Sequence, residues 1–218
     1  AGTGLTLVGT EFNTANTGNF DQVTFTDHQI KIGSGIGDVG ARGIAIGKEA
    51  GKDTIGNATD SIFIGTEAGE GCDGADNVMI GRKAGEGMHD DVGYAVCIGQ
   101  GAGALADSAG ELIAIGHYAG WVAKNGSNNT CIGQYAGVAM EGQKNIFLGY
   151  QAGYLCVGSN NIEIVTYGPA QSILDDYSNK INIENTIVGD TDTRRLAIGL
   201  VGVGDVSPDA TLEIKPSG

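Results

Sequence analysis

Three-residue apolar runs punctuate this chain, and each is followed at once by glycine. They read IAI, IFI, VMI, VCI, IAI, TCI and IFL, at 44–46, 62–64, 78–80, 96–98, 113–115, 130–132 and 146–148. The first position is β-branched in all seven, and the third is Ile in six and Leu148 in the last. β-Branched residues set between turn formers mark short strands, and strand side chains alternate between two faces. The first and third residues of each run therefore share one face. The middle residues Ala45, Phe63, Met79, Cys97, Ala114, Cys131 and Phe147 occupy the other.

Between the runs the pattern is polar and regular. The glycine after each run is Gly47, Gly65, Gly81, Gly99, Gly116, Gly133 or Gly149, at intervals of 18, 16, 18, 17, 17 and 16 residues. Four residues later stands a second glycine, from Gly51 to Gly153, and an alanine precedes every one, from Ala50 to Ala152. A degenerate copy, "IKIGSGIG" at Ile30–Gly37, lies 14 residues upstream of Gly47 with Ile36 in the alanine slot. A fixed short period of this kind marks a solenoid. The expected fold is all-β: a parallel β-roll or β-helix over 29–157, flanked by an N-terminal β cap or the end of a preceding module at 1–28 and a C-terminal β module at 158–218. Stacked strands lie about 4.8 Å apart, so eight coils make a rod roughly 40 Å long. The first glycine of each motif is expected where the chain bends out of the strand, a place for positive φ. Asn77, Asn129 and Asn145, four residues before that glycine, are placed to cap turns.

A strand apolar on both faces is buried on both. The expectation is that the first and third residues fill the coil's own interior. The middle row is then left as a long apolar stripe, which marks an interface. Self-association along that stripe covers it with no other partner.

Composition sharpens this picture. Glycine is 39 of 218 residues, well above the usual share of about 7%, yet the plentiful aliphatics exclude a disordered linker. The formal charge of −14 lacks the basic footprint of a nucleic-acid binder and disfavours an anionic membrane surface. No apolar run reaches the roughly 18 residues of a membrane span. The chain opens on Ala1, which reads as a processed or excised segment. Cys72, Cys97, Cys131 and Cys156 form no CxxC pair or zinc spacing, and read as reduced, buried, small hydrophobes.

The IGxxAG repeats, each introduced by an Asn/Ser-flanked strand, resemble those of bacteriophage tail fibres and, more distantly, the β-roll heads of trimeric autotransporter adhesins. The segment "NKINIENTIVGDTDTRRLAIGLVGVGDVSPDATLEI" is similar to the stretch that precedes the intramolecular chaperone of endosialidase-type tail fibres, with "AIGLVGVGDVSP" an expanded form of that family's shorter wording. The resemblance covers about Ile30 to Gly218. It implies an elongated homotrimer in the virion, joined to other tail proteins and directed at a host-cell surface receptor. It also implies a chaperone following Gly218, self-cleaved or excised.

Catalytic chemistry is not written here. No GxSxG, HExxH, P-loop or Rossmann fingerprint occurs in a sensible context. His28, His89 and His117 read as surface residues. Asp175 and Asp176 are adjacent, whereas glycosidase carboxylates face each other across a cleft. "DGADN" at 73–77 and "HDD" at 89–91 fall short of a Ca²⁺ loop, so neither a cofactor nor a metal is expected. A hexapeptide-repeat acyltransferase, with His117 as base, needs a hexad on every face of the coil, and only one recurs here. The better candidate surface is aromatic. The free positions of the late motifs, with the position after the motif, supply Tyr118, Trp121, Tyr135, Tyr150 and Tyr154. Equivalent positions line up along a solenoid, so these rings are expected to form a ladder able to stack on the sugar faces of a surface glycan.

Overall fold

The computed structural model describes residues 29–37, 42–54, 58–89, 93–107, 110–167, 178–183, 187–190 and 195–198. It is all-β, with no helix among them. One strand falls in each coil: β1 (Ile30–Ile32), β2 (Ile44–Ile46), β3 (Ile62–Ile64), β4 (Val78–Ile80), β5 (Val96–Ile98), β6 (Ile113–Ile115), β7 (Thr130–Ile132) and β8 (Ile146–Tyr150). These pair in parallel and in sequence order, middle residue opposite middle residue, as in Ala45↔Phe63 and Cys97↔Ala114. This is a parallel β-solenoid of about eight turns. A second column of single parallel bridges runs His89, Asp107, Lys124, Glu141, Val157. The sheet continues through β9 (Ile162–Tyr167) and β10 (Lys180–Ile183), again parallel, then reverses into the antiparallel β11 (Ile187–Asp190) and β12 (Arg195–Ile198). Residues 1–28 and 199–218 lie outside the described residues, as do most of the residues between β9 and β12.

The sidedness of the strands is opposite to the expectation. The middle residues Ala45, Phe63, Met79, Cys97, Ala114, Cys131 and Phe147 are all fully buried inside the coil. The flanking β-branched residues face outward and are half-buried or exposed. The middle row is therefore the core of a single chain, and not a stripe open to a partner. The reason is volume. The interior of so small a coil admits about one large side chain, and the sequence supplies it by compensation. Phe63, Met79 and Phe147 fill their own coils. For three of the four small middle residues another slot provides bulk: Met88 beside Cys97 (Sγ to Sδ 3.9 Å), Met140 beside Cys131 (3.8 Å), and Leu112 in the coil of Ala114. The alanines of the motif are fully buried beside them.

The two glycines of the motif serve different purposes. At Gly69 (φ 65°) a Cβ would stand 2.5 Å from the Phe63 ring, so this glycine makes room for the core residue of its own coil. At Gly65 (φ 139°) a Cβ would run into the carbonyl of Gly81, so the first glycine permits close approach of successive backbones. The alanine–glycine step also carries hydrogen bonds between coils: Gly51 N–H to the Ala68 carbonyl, Gly69 to Ala84, and so on to Gly137 and Ala152, each at 2.8–2.9 Å. A ladder of buried asparagines runs parallel to it. Asn145 Nδ2 donates to the Gly158 carbonyl at 2.9 Å, and Asn145 Oδ1 accepts from the Asn161 N–H at 2.9 Å. Asn129 does the same one coil earlier, toward Gly142 and the Asn145 N–H. Asn77 caps its own turn through Gly74 and accepts from the Ala95 N–H. The expected turn-capping role is seen at Asn77 and at Asn129, whose amide also reaches the Gly126 carbonyl, whereas the amide of Asn145 links to the next coil.

The core ends at Glu163, fully buried in the middle slot opposite Phe147. Its Oε2 accepts from the Gly153 N–H at 2.7 Å, where every earlier second glycine finds the alanine carbonyl of the next coil. Its Oε1 accepts from the buried Asn182 Nδ2 at 3.0 Å. The carboxylate thus stands in for the alanine carbonyl that a further coil would supply.

Two outcomes test this packing. Gly69→Ala combines left-handed strain of about 1–2 kcal/mol with overpacking of about 1–3 kcal/mol. Gly71→Ala (φ 68°, nearest atom 3.5 Å from a Cβ) carries the strain alone, so chemical denaturation should rank Gly69→Ala as the more damaging. Asn145→Ala leaves the buried Asn161 N–H unpaired, at about 1–3 kcal/mol, and frees the half-buried Gly158 carbonyl as well; a loss below the level of an exposed substitution in the same assay would remove the ladder's structural role.

Candidate functional site

The candidate surface is built on the two free positions of the motif. The second of them is left-handed in every coil, from Glu49 (φ 58°) to Gln151 (φ 57°). Its N–H donates to the carbonyl one coil back: Tyr118 to Gln100 and Tyr135 to His117, both at 2.9 Å, and Gln151 to Gln134 at 3.0 Å. These bonds hold equivalent side chains in register along the rod.

What the rows carry changes half-way. In the early coils they are ionic. Lys83 Nζ lies 2.8 Å from Glu86 Oε1 and 3.0 Å from Glu67 Oε2, and Lys52 Nζ lies 3.0 Å from Glu70 Oε1. Glu86 and then Glu67 raise the Lys83 ammonium above its ordinary range, while the bond from Lys83 lowers the Glu67 carboxyl. Carboxylate oxygens of Glu67, Glu70 and Glu86 lie within 4.8 Å of one another. That is a spacing a cation can use, but Lys83 and Lys52 already pair with all three carboxylates. Farther toward the N-terminus, Arg42 pairs with Asp60. Asp73 meets His89 at 3.7 Å; Asp90, Asp91, Asp175, Asp176 and His28 lie outside the described residues.

In the late coils the same rows turn aromatic. Tyr118 and Tyr135 are nearly parallel, 6° apart with centroids at 6.0 Å, and Tyr150 meets Tyr135 edge-on at 6.3 Å. His117 packs on Tyr118 at 4.4 Å and on Tyr135 at 5.4 Å, and Trp121 lies 5.5 Å from Tyr118. All are partly exposed. The changeover falls at Gly101, where a Cβ would stand 2.5 Å from the Tyr118 ring; the missing side chain leaves the place that ring occupies.

Comparison with protein-family models, with curated proteins and with solved structures finds no match. The reading of this surface therefore stands on its geometry and chemistry.

Of the five expected ring positions, Tyr118, Trp121, Tyr135 and Tyr150 are brought together. Tyr154 joins none of their ring contacts. It shares a slot with Trp121, but Val138, buried in that slot one coil between them, breaks the row. His117 also belongs to the cluster, packed on Tyr118 and Tyr135. Its signal was position, directly before Tyr118. None of the four cysteines is in a disulfide, and all are buried. Burial pushes the Cys72 thiol up to about 12 and raises Cys97 and Cys131 as well, so these three are not poised as nucleophiles.

A second surface follows from the corrected sidedness. The outward residues of β2–β9 form two columns of Ile and Val, interrupted by Thr130 and Leu148. Ile113, Ile132, Ile146 and Ile164 are 37–39% exposed. Trp121 is the chain's single tryptophan and reports on the aromatic cluster. Gly101→Ala should displace the Tyr118 ring and shift Trp121 emission, whereas Gly110→Ala, with nothing within 4 Å of its Cβ, should leave the spectrum unchanged.

Proposed function

We propose that this chain is a structural and adhesive segment of a bacteriophage tail fibre, acting in host attachment as an elongated homotrimer. The observation that carries the reading is the outward aliphatic face. A soluble chain seldom exposes a long contiguous apolar stripe without a partner for it. This one runs the length of the solenoid, and its period repeats in every copy of the chain. Fully burying an aliphatic side chain contributes roughly 1.5–3 kcal/mol, and these side chains are only partly covered, so each retains a share for association. The number three comes from the resemblance to tail fibres; the face itself supports self-association.

Attachment is the work left for the aromatic cluster. One copy per chain places several equivalent patches on a single rod, and multivalency raises overall avidity by orders of magnitude over a single weak contact. The partner of such a patch is a host surface glycan, with other tail proteins joined at the ends of the rod.

Light scattering together with an unboiled SDS gel tests the assembly. The expected species has three times the 22.1 kDa of one chain and survives SDS. Ile62→Lys combined with Ile80→Lys should reduce it to the mass of one chain while the β circular dichroism persists. A wild-type monomer, or an assembly indifferent to both substitutions, would sink the proposal.

A further inference from the structure

We propose that the late-coil aromatic cluster binds a linear, uncharged oligosaccharide laid along the rod axis, one sugar unit against each coil. This rests on the attachment reading and deepens it by assigning the chemical class of the glycan.

Three observations carry it. The first is spacing. The rings of Tyr118, Tyr135 and Tyr150 follow one another at 6.0 and 6.3 Å, the first two parallel and the third turned edge-on, a step comparable with the advance of one hexose in an extended oligosaccharide. Each ring offers an apolar surface to a sugar C–H face and a hydroxyl at its edge.

The second is unspent hydrogen bonding. The side-chain amides of Gln100, Gln134 and Gln151 lie in the same two rows as the rings. Neither these amides nor the phenol groups of Tyr118 and Tyr135 have a hydrogen-bond partner among the described residues. Amides and phenols both donate and accept, as sugar hydroxyls do. Carboxylates and sulfates only accept.

The third is charge. From Gln100 to Gln151 the two rows contain no lysine, arginine or carboxylate. The last guanidinium before them is Arg82, two coils short of His117, and its charge acts on Glu67. With a formal charge of −14 over the whole chain, a uronate or sialylated glycan meets repulsion and finds no cation in the patch to offset it.

The test is an array of immobilised neutral, uronate-containing and sialylated oligosaccharides of increasing length, probed with the intact chain. Neutral oligomers should be retained, with the signal rising until all three tyrosine rings are spanned and then levelling. Tyr135→Ala should weaken retention about tenfold, the loss of one aromatic contact, with circular dichroism unchanged. Glu49→Ala, at the equivalent slot in the ionic half, should leave retention intact. Preference for the charged oligomers, absence of any neutral binder, or retention indifferent to Tyr135→Ala would overturn the inference. Attachment to host cells separates the two readings. Tyr135-dependent attachment with array binding confined to charged sugars leaves the adhesive role standing and removes the neutral ligand. Neither attachment nor any saccharide binding removes both.

Discussion

The constraint on which this molecule depends is the approach of one coil's backbone to the next at the first glycine of the motif. At Gly47, Gly65, Gly81, Gly99, Gly116 and Gly133 the carbonyl of the following coil's glycine occupies the volume a Cβ would need. That contact holds the coils at strand spacing along one edge, and the strands then pair with no register shift from β1 to β8. Register in turn keeps the buried alanines, the asparagine ladder and the exposed tyrosines each in a single file. The repeat interval varies between 14 and 18 residues, yet the strand register does not change.

Much of this architecture was legible in the sequence because it is repetitive. The seven apolar triads, the glycine pair and the alanine slot placed every solenoid strand β2–β8 and the order in which they stack. The alternation of faces was also legible, but not which face points inward. A period of two fixes the phase of a strand and leaves its sign open, and both faces here are apolar. The deciding clue lay in volumes. The middle row mixes Ala, Cys, Met and Phe, and three of its four small members coincide with Met88, Leu112 and Met140 elsewhere in their neighbourhood, as a narrow interior of fixed capacity requires. The flanking rows are β-branched at every position but Leu148, which suits an outer sheet surface and not a variable interior.

The candidate site was legible in part for a related reason. Equivalent slots stack, so Tyr118 and Tyr135 were placed together by counting, and Tyr150 joins them from the neighbouring row. Tyr154 failed because counting across Val138 ignores the interruption of its row. Gly101 was also invisible as a determinant, since a glycine that breaks the motif reads as one more glycine in a glycine-rich chain. Only the ring lying over it shows that it separates an ion-paired half of the surface from an aromatic one.

Glu163 gives the rod a property that concerns heredity more than folding. Every coil before it closes upon the next through the same bonds, and the carboxylate substitutes for a coil without relying on any particular one. A duplication or deletion of one repeat between β2 and β8 would leave both the stacking rule and the terminus intact. Length is thereby a quantity that changes in whole units, at a single genetic step. The distance between the two ends of the segment can drift over generations without any need to invent a new fold.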